Sequence, residues 1–156
     1  MAALLFLFLA LVSNAPADAA EGAPGKPSEK EKCPVCGMFV AKFPDFAAAV
    51  RFRDGSVVRF DGAKDLFRYW LDVKKYHPSR NASDIVSVHV TDYYRLEYVD
   101  GRRAFYVAGS NVYGPMGKEL IPFGKEDDAR EFMVDHTGKT LLRFHEVDAA
   151  VLGTLD

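Results

Sequence analysis

Apolar and polar positions follow two periods along the chain, and the switches between them mark the elements. Ala48, Val50 and Phe52 alternate with Arg51 and Arg53, and Val58 and Phe60 resume the alternation beyond Asp54-Gly55. A period of two across Asp-Gly predicts a β-hairpin closed by a two-residue turn. Asp61 then stands at a helix N-cap position. Ala63, Leu66, Phe67, Trp70 and Leu71 recur after it at i, i+3, i+4, i+7 and i+8, so a helix is expected that ends before Pro78. A strand over Ile85 to Val90 follows, with Val86, Val88 and Val90 on one face and Ser87 and His89 on the other.

The same order then recurs. Tyr94, Leu96 and Tyr98 run into Asp100-Gly101, and Ala104 to Val107 return from it. Ala129, Phe132 and Met133 mark a second helix, and Leu142 with Phe144 a closing strand. Between hairpin and helix lies a Gly/Pro-rich loop from Asn111 to Gly117. This pattern predicts an α+β fold of two small tandem ββα(β) units packed together, over residues 33–92 and 93–156.

Ahead of these units, Leu4 to Val12 form an unbroken apolar run, too short for a membrane-spanning helix and of the length of a signal-peptide core. Ala17-Asp18-Ala19 fits the small-x-small rule for cleavage, so residues 1–19 are expected to be a signal peptide, although Met1-Ala2-Ala3 carries no positive charge; an uncleaved N-terminal anchor is the alternative. Residues 20–32, rich in Gly, Pro, Glu and Lys, read as a flexible linker. The expected product is an exported protein. No cysteine near the apolar run offers a site for lipidation, so no stable membrane insertion is expected after cleavage.

With 49% hydrophobic residues, the chain can bury one good core or two small ones that share an interface. A formal net charge of −2 leaves no electrostatic case for nucleic acid.

Chemistry concentrates at Cys33-Pro34-Val35-Cys36-Gly37-Met38. A disulfide closing so short a loop removes little unfolded-state entropy, so the pair is expected to act through its chemistry rather than as a staple. C-x-x-C lets two thiolates converge on one ion, and thiolate is the preferred donor for Cu(I). A structural-zinc adaptor is an alternative, but it calls for a second ligand pair. The chain has only 2 cysteines and no His-x₃₋₅-His. A thiol-disulfide oxidoreductase is the other alternative. It calls for C-x-x-C at the start of a helix, and Gly37, Phe39, Val40 and Pro44 make a poor one. No nucleophile elbow, phosphate loop or paired-carboxylate motif appears, so a binding protein rather than an enzyme is expected.

Further candidate donors lie elsewhere. Met38 is close enough to Cys36 for its thioether to reach the same ion, or it fills core space. Met116 is framed by Gly114, Pro115 and Gly117 and lies on no periodic face, so it is either a plug or a soft ligand. Met133 continues a helical stripe and reads as core. His136 ends that stripe, where it either caps carbonyls or reaches an ion. Asp61, Asp65, Glu119 and the Lys125 to Asp128 cluster read as caps and solvated faces.

The Cys-x-x-Cys-Gly-Met step and the later Gly114-Pro115-Met116-Gly117, in this order around matching elements, resemble the NosL family of nitrous-oxide-reductase accessory proteins over Cys33 to Phe144. The resemblance implies a periplasmic Cu(I) metallochaperone with a fold related to organomercurial lyase. Its implied partners are a copper donor and a copper-dependent client such as nitrous oxide reductase. By motif match Cys36, Met38 and Met116 carry over as sulfur ligands, Cys33 as a supporting one and His136 as a further donor, although Thr137 follows where the family commonly shows glycine. Many members are lipoproteins, whereas this leader offers no cysteine to acylate. A lyase activity would want a protonating acid beside the thiols, and the nearest carboxylates in sequence are Glu31 and Asp45.

Overall fold

The computed structural model describes residues 22–156, and the leader expected over residues 1–19 lies outside them. Strands β1 (Ala48–Phe52) and β2 (Val57–Phe60) form the expected hairpin, with Val50 opposite Val58 and Ala48 opposite Phe60. Its loop is longer than the Asp-Gly dipeptide predicts. The Phe52 N–H bonds to the Ser56 carbonyl and that of Gly55 to Phe52, so three residues, Arg53 to Gly55, make the reversal. Helix α1 (Ala63–Leu71) stops at Asp72, whose carboxylate accepts from Lys75 N–H and starts a second short helix, α2 (Val73–Tyr76), ahead of Pro78.

Strand β3 (Ile85–Thr91) pairs antiparallel with β1, and β4 (Tyr98–Asp100) with β3, completing a sheet in the order β2-β1-β3-β4. Here the sequence reading is corrected. Tyr98 and the strand before Asp100-Gly101 belong to the first sheet and form no hairpin with Ala104 to Val107. The reason lies in Asp92. Its buried carboxylate accepts from the N–H groups of Tyr94, Arg95 and Gly124 and folds residues 92–97 into the turn that returns the chain onto β3. Asp100-Gly101 instead turns the chain from one sheet into the next.

The second sheet, β8-β5-β9, is built from β5 (Phe105–Ala108), β8 (Ile121–Phe123) and β9 (Thr140–Arg143). A two-stranded hairpin, β6 (Tyr113–Gly114) and β7 (Gly117–Lys118), leaves the sheet within the loop that follows β5. Helix α3 (Glu126–Asp135) covers one face, where Val107, Ile121, Phe123, Ala129 and Phe132 form a small cluster. Alternation along β5 sends Tyr106 to the other face, where its ring meets the edge of Phe67 from α1 at 5.0 Å.

The larger core therefore lies between the two sheets with α1 in it, and the last helix, α4 (Ala149–Gly153), which the pattern did not predict, closes it with Leu152 and Leu155. Residues 22–32 lie along the first sheet: Arg51 donates to the Gly22 carbonyl, and Arg59 to the Gly25 carbonyl and the Glu31 carboxylate. His89 is buried on β3. Among the described residues no helix is long and apolar enough to cross a membrane.

Candidate metal centre

Cys33 to Met38 fold into a tight turn. The Cys33 N–H bonds to the Met38 carbonyl at 2.8 Å, the Gly37 N–H to the Cys33 carbonyl at 2.8 Å, and Lys32 pairs with Phe39 beyond them. Gly37 has φ +79, a left-handed conformation that strains any residue with a side chain, so the glycine after Cys36 is what lets the turn close. The amides of Val35 and Cys36 favour the thiolate of Cys33, and that of Met38 the thiolate of Cys36. No helix begins at the motif; a single 3₁₀ turn over Val40–Lys42 follows it.

Facing this turn is the N-terminus of α1. Cys33 Sγ donates to Asp65 Oδ2 at 3.4 Å, and Cys36 Sγ to both Asp61 oxygens at 3.3 Å. One ligand atom from each of Cys33, Cys36, Asp61 and Asp65 lies within 4.8 Å of the others. Cys33, Asp61 and Asp65 are each 1% exposed, while Cys36 is half-buried and forms the open side. A helix N-terminus favours anions, and here it holds two carboxylates. Arg68, one turn on, braces Asp65 at 3.2 Å.

The sequence reading of these carboxylates is overturned. Asp61 does not cap α1: the N-cap is Gly62, which has no side chain to cap with. Neither aspartate is solvated, and both stand at the thiols, so the absence of an acid near the cysteines, inferred from Glu31 and Asp45, does not hold in three dimensions. The overlooked signal is one aspartate just before the N-cap and another in the first turn, both at the helix end that favours anions.

Glu119, read as a cap or solvated residue, is a buried cap supplied from another segment. Its Oε1 accepts from the Lys64 N–H at 2.6 Å and the Leu120 N–H at 2.9 Å. A side chain on Gly62 would meet Glu119 Oε2 at 2.2 Å, so only glycine admits this approach. Burial pushes the Glu119 carboxyl up to about 7, against the pull of the two amides and Lys64. Lys64 is itself buried and donates to the carbonyls of Met116 at 2.8 Å and Leu155 at 3.4 Å.

These bonds hold the β6-β7 hairpin, with Met116 at its tip and 42% exposed, against the helical turn that carries Asp61 and Asp65. Met38 sits within the cysteine turn. His136 lies outside the four-residue group. It ends α3, its Nδ1 pairs with Asn111 Oδ1 at 3.2 Å, and its ring packs on Phe132 at 4.4 Å.

The thiols are held in their protonated form. Burial raises Cys33 well above the ordinary thiol range, with Asp65 and Asp61 adding to the effect and the turn amides opposing it. Burial pushes Cys36 up to about 12, with Asp65 adding and the Met38 amide opposing. A cation reverses this balance, because it replaces the thiol protons and offsets the carboxylates. Asp65→Asn is expected to bring the Cys36 value down from about 12, read as the pH midpoint of iodoacetamide alkylation of metal-free protein. An unchanged midpoint would remove Asp65 from the electrostatics of the site.

Comparison with known proteins finds relatives of this chain. The NosL family model covers residues 24–152. The chain is 30% identical over 132 residues to the copper-binding lipoprotein NosL of Stutzerimonas stutzeri, across 80% of this chain and 65% of that protein, so it spans just under two thirds of that relative's length. Its fold is similar to the crystal structure of the copper chaperone NosL from Shewanella denitrificans, with a TM-score of 0.68 and 26% identity over 81% of this chain and 99% of the other. The cysteine turn set against α1, the two-sheet fold around it and the match over residues 24–152 together place the chain in the NosL family.

Proposed function

We propose that the protein is a periplasmic Cu(I) carrier that receives copper from a donor and delivers it to a cuproenzyme such as nitrous oxide reductase. The observation that supports this most is the pair of thiols, each against a buried carboxylate, at a helical turn to which the Met116 hairpin is also tied. Cys33 and Cys36 supply the thiolates, and Met38 and Met116 the thioethers that suit a soft monovalent ion. His136 is engaged by Asn111 outside the cluster, so the proposal keeps to sulfur donors.

Exposure increases from Cys33 through Cys36 to Met116, which gives a direction of exchange. An incoming ligand meets Met116 and Cys36 first, and Cys33 releases the ion last. The raised thiol values argue against the oxidoreductase alternative, since an attacking thiol needs a depressed one.

Zinc remains as a second reading on one observation: Asp61 and Asp65 supply the second ligand pair that the sequence lacked. An anaerobic metal titration separates the readings. Met116→Leu is expected to weaken Cu(I) at least about tenfold, roughly 1.4 kcal/mol, while Met133→Leu leaves it unchanged. Wild-type affinity in Met116→Leu removes the hairpin from the ligand set, and zinc that co-purifies and is required for folding favours the adaptor.

A further inference from the structure

A second concave site lies on the far side of the β6-β7 hairpin. It is a cavity of roughly 470 Å³ between the hairpin, the loop after β5, the end of α3 and the start of β9. Lys118 and Lys139 line it together with Asn111, Thr137, Thr140 and the ring of Tyr113, and no Asp or Glu does. Among the described residues neither lysine forms an ion pair, as is true of every lysine there. Two unneutralised ammonium groups over a hydroxyl- and amide-lined hollow are complementary to a carboxylate.

Thr137 adds a backbone argument. It has φ 54, the left-handed position after a helix C-cap where glycine is relaxed, and the Gly138 N–H returns to the Met133 carbonyl across it. A residue other than glycine is strained there by about 1 kcal/mol or more. The side chain retained at that expense is one that lines the cavity.

Lys118 lines this cavity and also the recess that contains Met116, and Tyr113, 66% exposed, stands on the same hairpin. The geometry points to a docking site for an acidic segment of a partner protein, whose carboxylates enter between Lys118 and Lys139 and whose neighbouring residues then lie over Met116. Naming that partner as the one that exchanges copper rests on the carrier reading above. The electrostatic contribution is long-ranged and salt-sensitive, which suits brief docking for cargo exchange.

The test needs no copper. Metal-free ¹⁵N-labelled protein is titrated with an acetylated, amidated tetraglutamate peptide, with tetralysine as control and with N-acetylglutamate as a small acid. Tetraglutamate is expected to shift the amides of residues 109–113 and 137–140, and the shifts are lost in 0.5 M salt and in Lys118→Glu/Lys139→Glu. Shifts that persist after charge reversal, or that fall elsewhere, overturn the site. N-acetylglutamate binding as tightly as the peptide overturns the protein partner in favour of a small acid. Failure here leaves Cu(I) affinity untouched, and failure of Cu(I) binding leaves these shifts in place, so the two readings fail separately.

Discussion

Replacing both cysteines with serine is expected to abolish tight Cu(I) binding without unfolding the chain. Serine keeps a hydroxyl that donates to Asp65 and Asp61 where the thiols now do, so the turn retains its bonds to α1. It removes the soft anionic donors, and the remaining thioethers and carboxylates hold the ion much more weakly. Affinity should fall by at least about a thousandfold, roughly 4 kcal/mol, in anaerobic competition with bicinchoninate. Cys36→Ser alone should fall part of the way, since the more deeply buried Cys33 remains. A double variant that is folded by circular dichroism and binds copper like the wild type would place the ligands elsewhere in the chain.

Stability should depend on pH through Glu119, and Glu119→Gln should remove that dependence. The carboxyl lies near 4.5 in an unfolded chain and is pushed up to about 7 by burial in the folded one. Between these values the folded state keeps a proton that the unfolded chain has released. Stability is therefore full below about pH 4.5 and declines as pH rises through about 7, by up to about 3 kcal/mol. Glutamine retains an oxygen for the Lys64 and Leu120 amides and does not ionise, so urea unfolding of the variant should lack this decline. Parallel wild-type and variant stabilities from pH 5 to 8 would show that the group titrates normally.

The sequence revealed most where one face of an element meets one core. The β1-β2 hairpin, α1, β3 and α3 could be placed from periodicity because Val50, Phe60, Phe67, Val88 and Phe132 each point into packed interior. Periodicity could not place β4, since Asp100-Gly101 looks like a hairpin turn and the reversal is set by a carboxylate at Asp92 bonding to Gly124 across the fold.

The candidate site was legible in part for the same reason. Cys33 and Cys36 announced themselves by spacing. Lys64 and Asp65 belong by composition to a solvated helical face, and they are buried because the cysteine turn, the Met116 hairpin and the chain's last residues enclose the first turn of α1 on every side. Such enclosure is a property of three separate segments meeting, and no window of sequence contains it.

The Lys64 ammonium, bonded to Met116 and to Leu155, sets the order in which the molecule can become competent. Leu155 is 91 positions further along, so a chain emerging N-terminus first presents its cysteines long before the groups that surround them. A nascent polypeptide thus exposes bare thiols with no enclosing pocket. The enclosure of the cysteine turn is complete only once the chain's last residues have joined it.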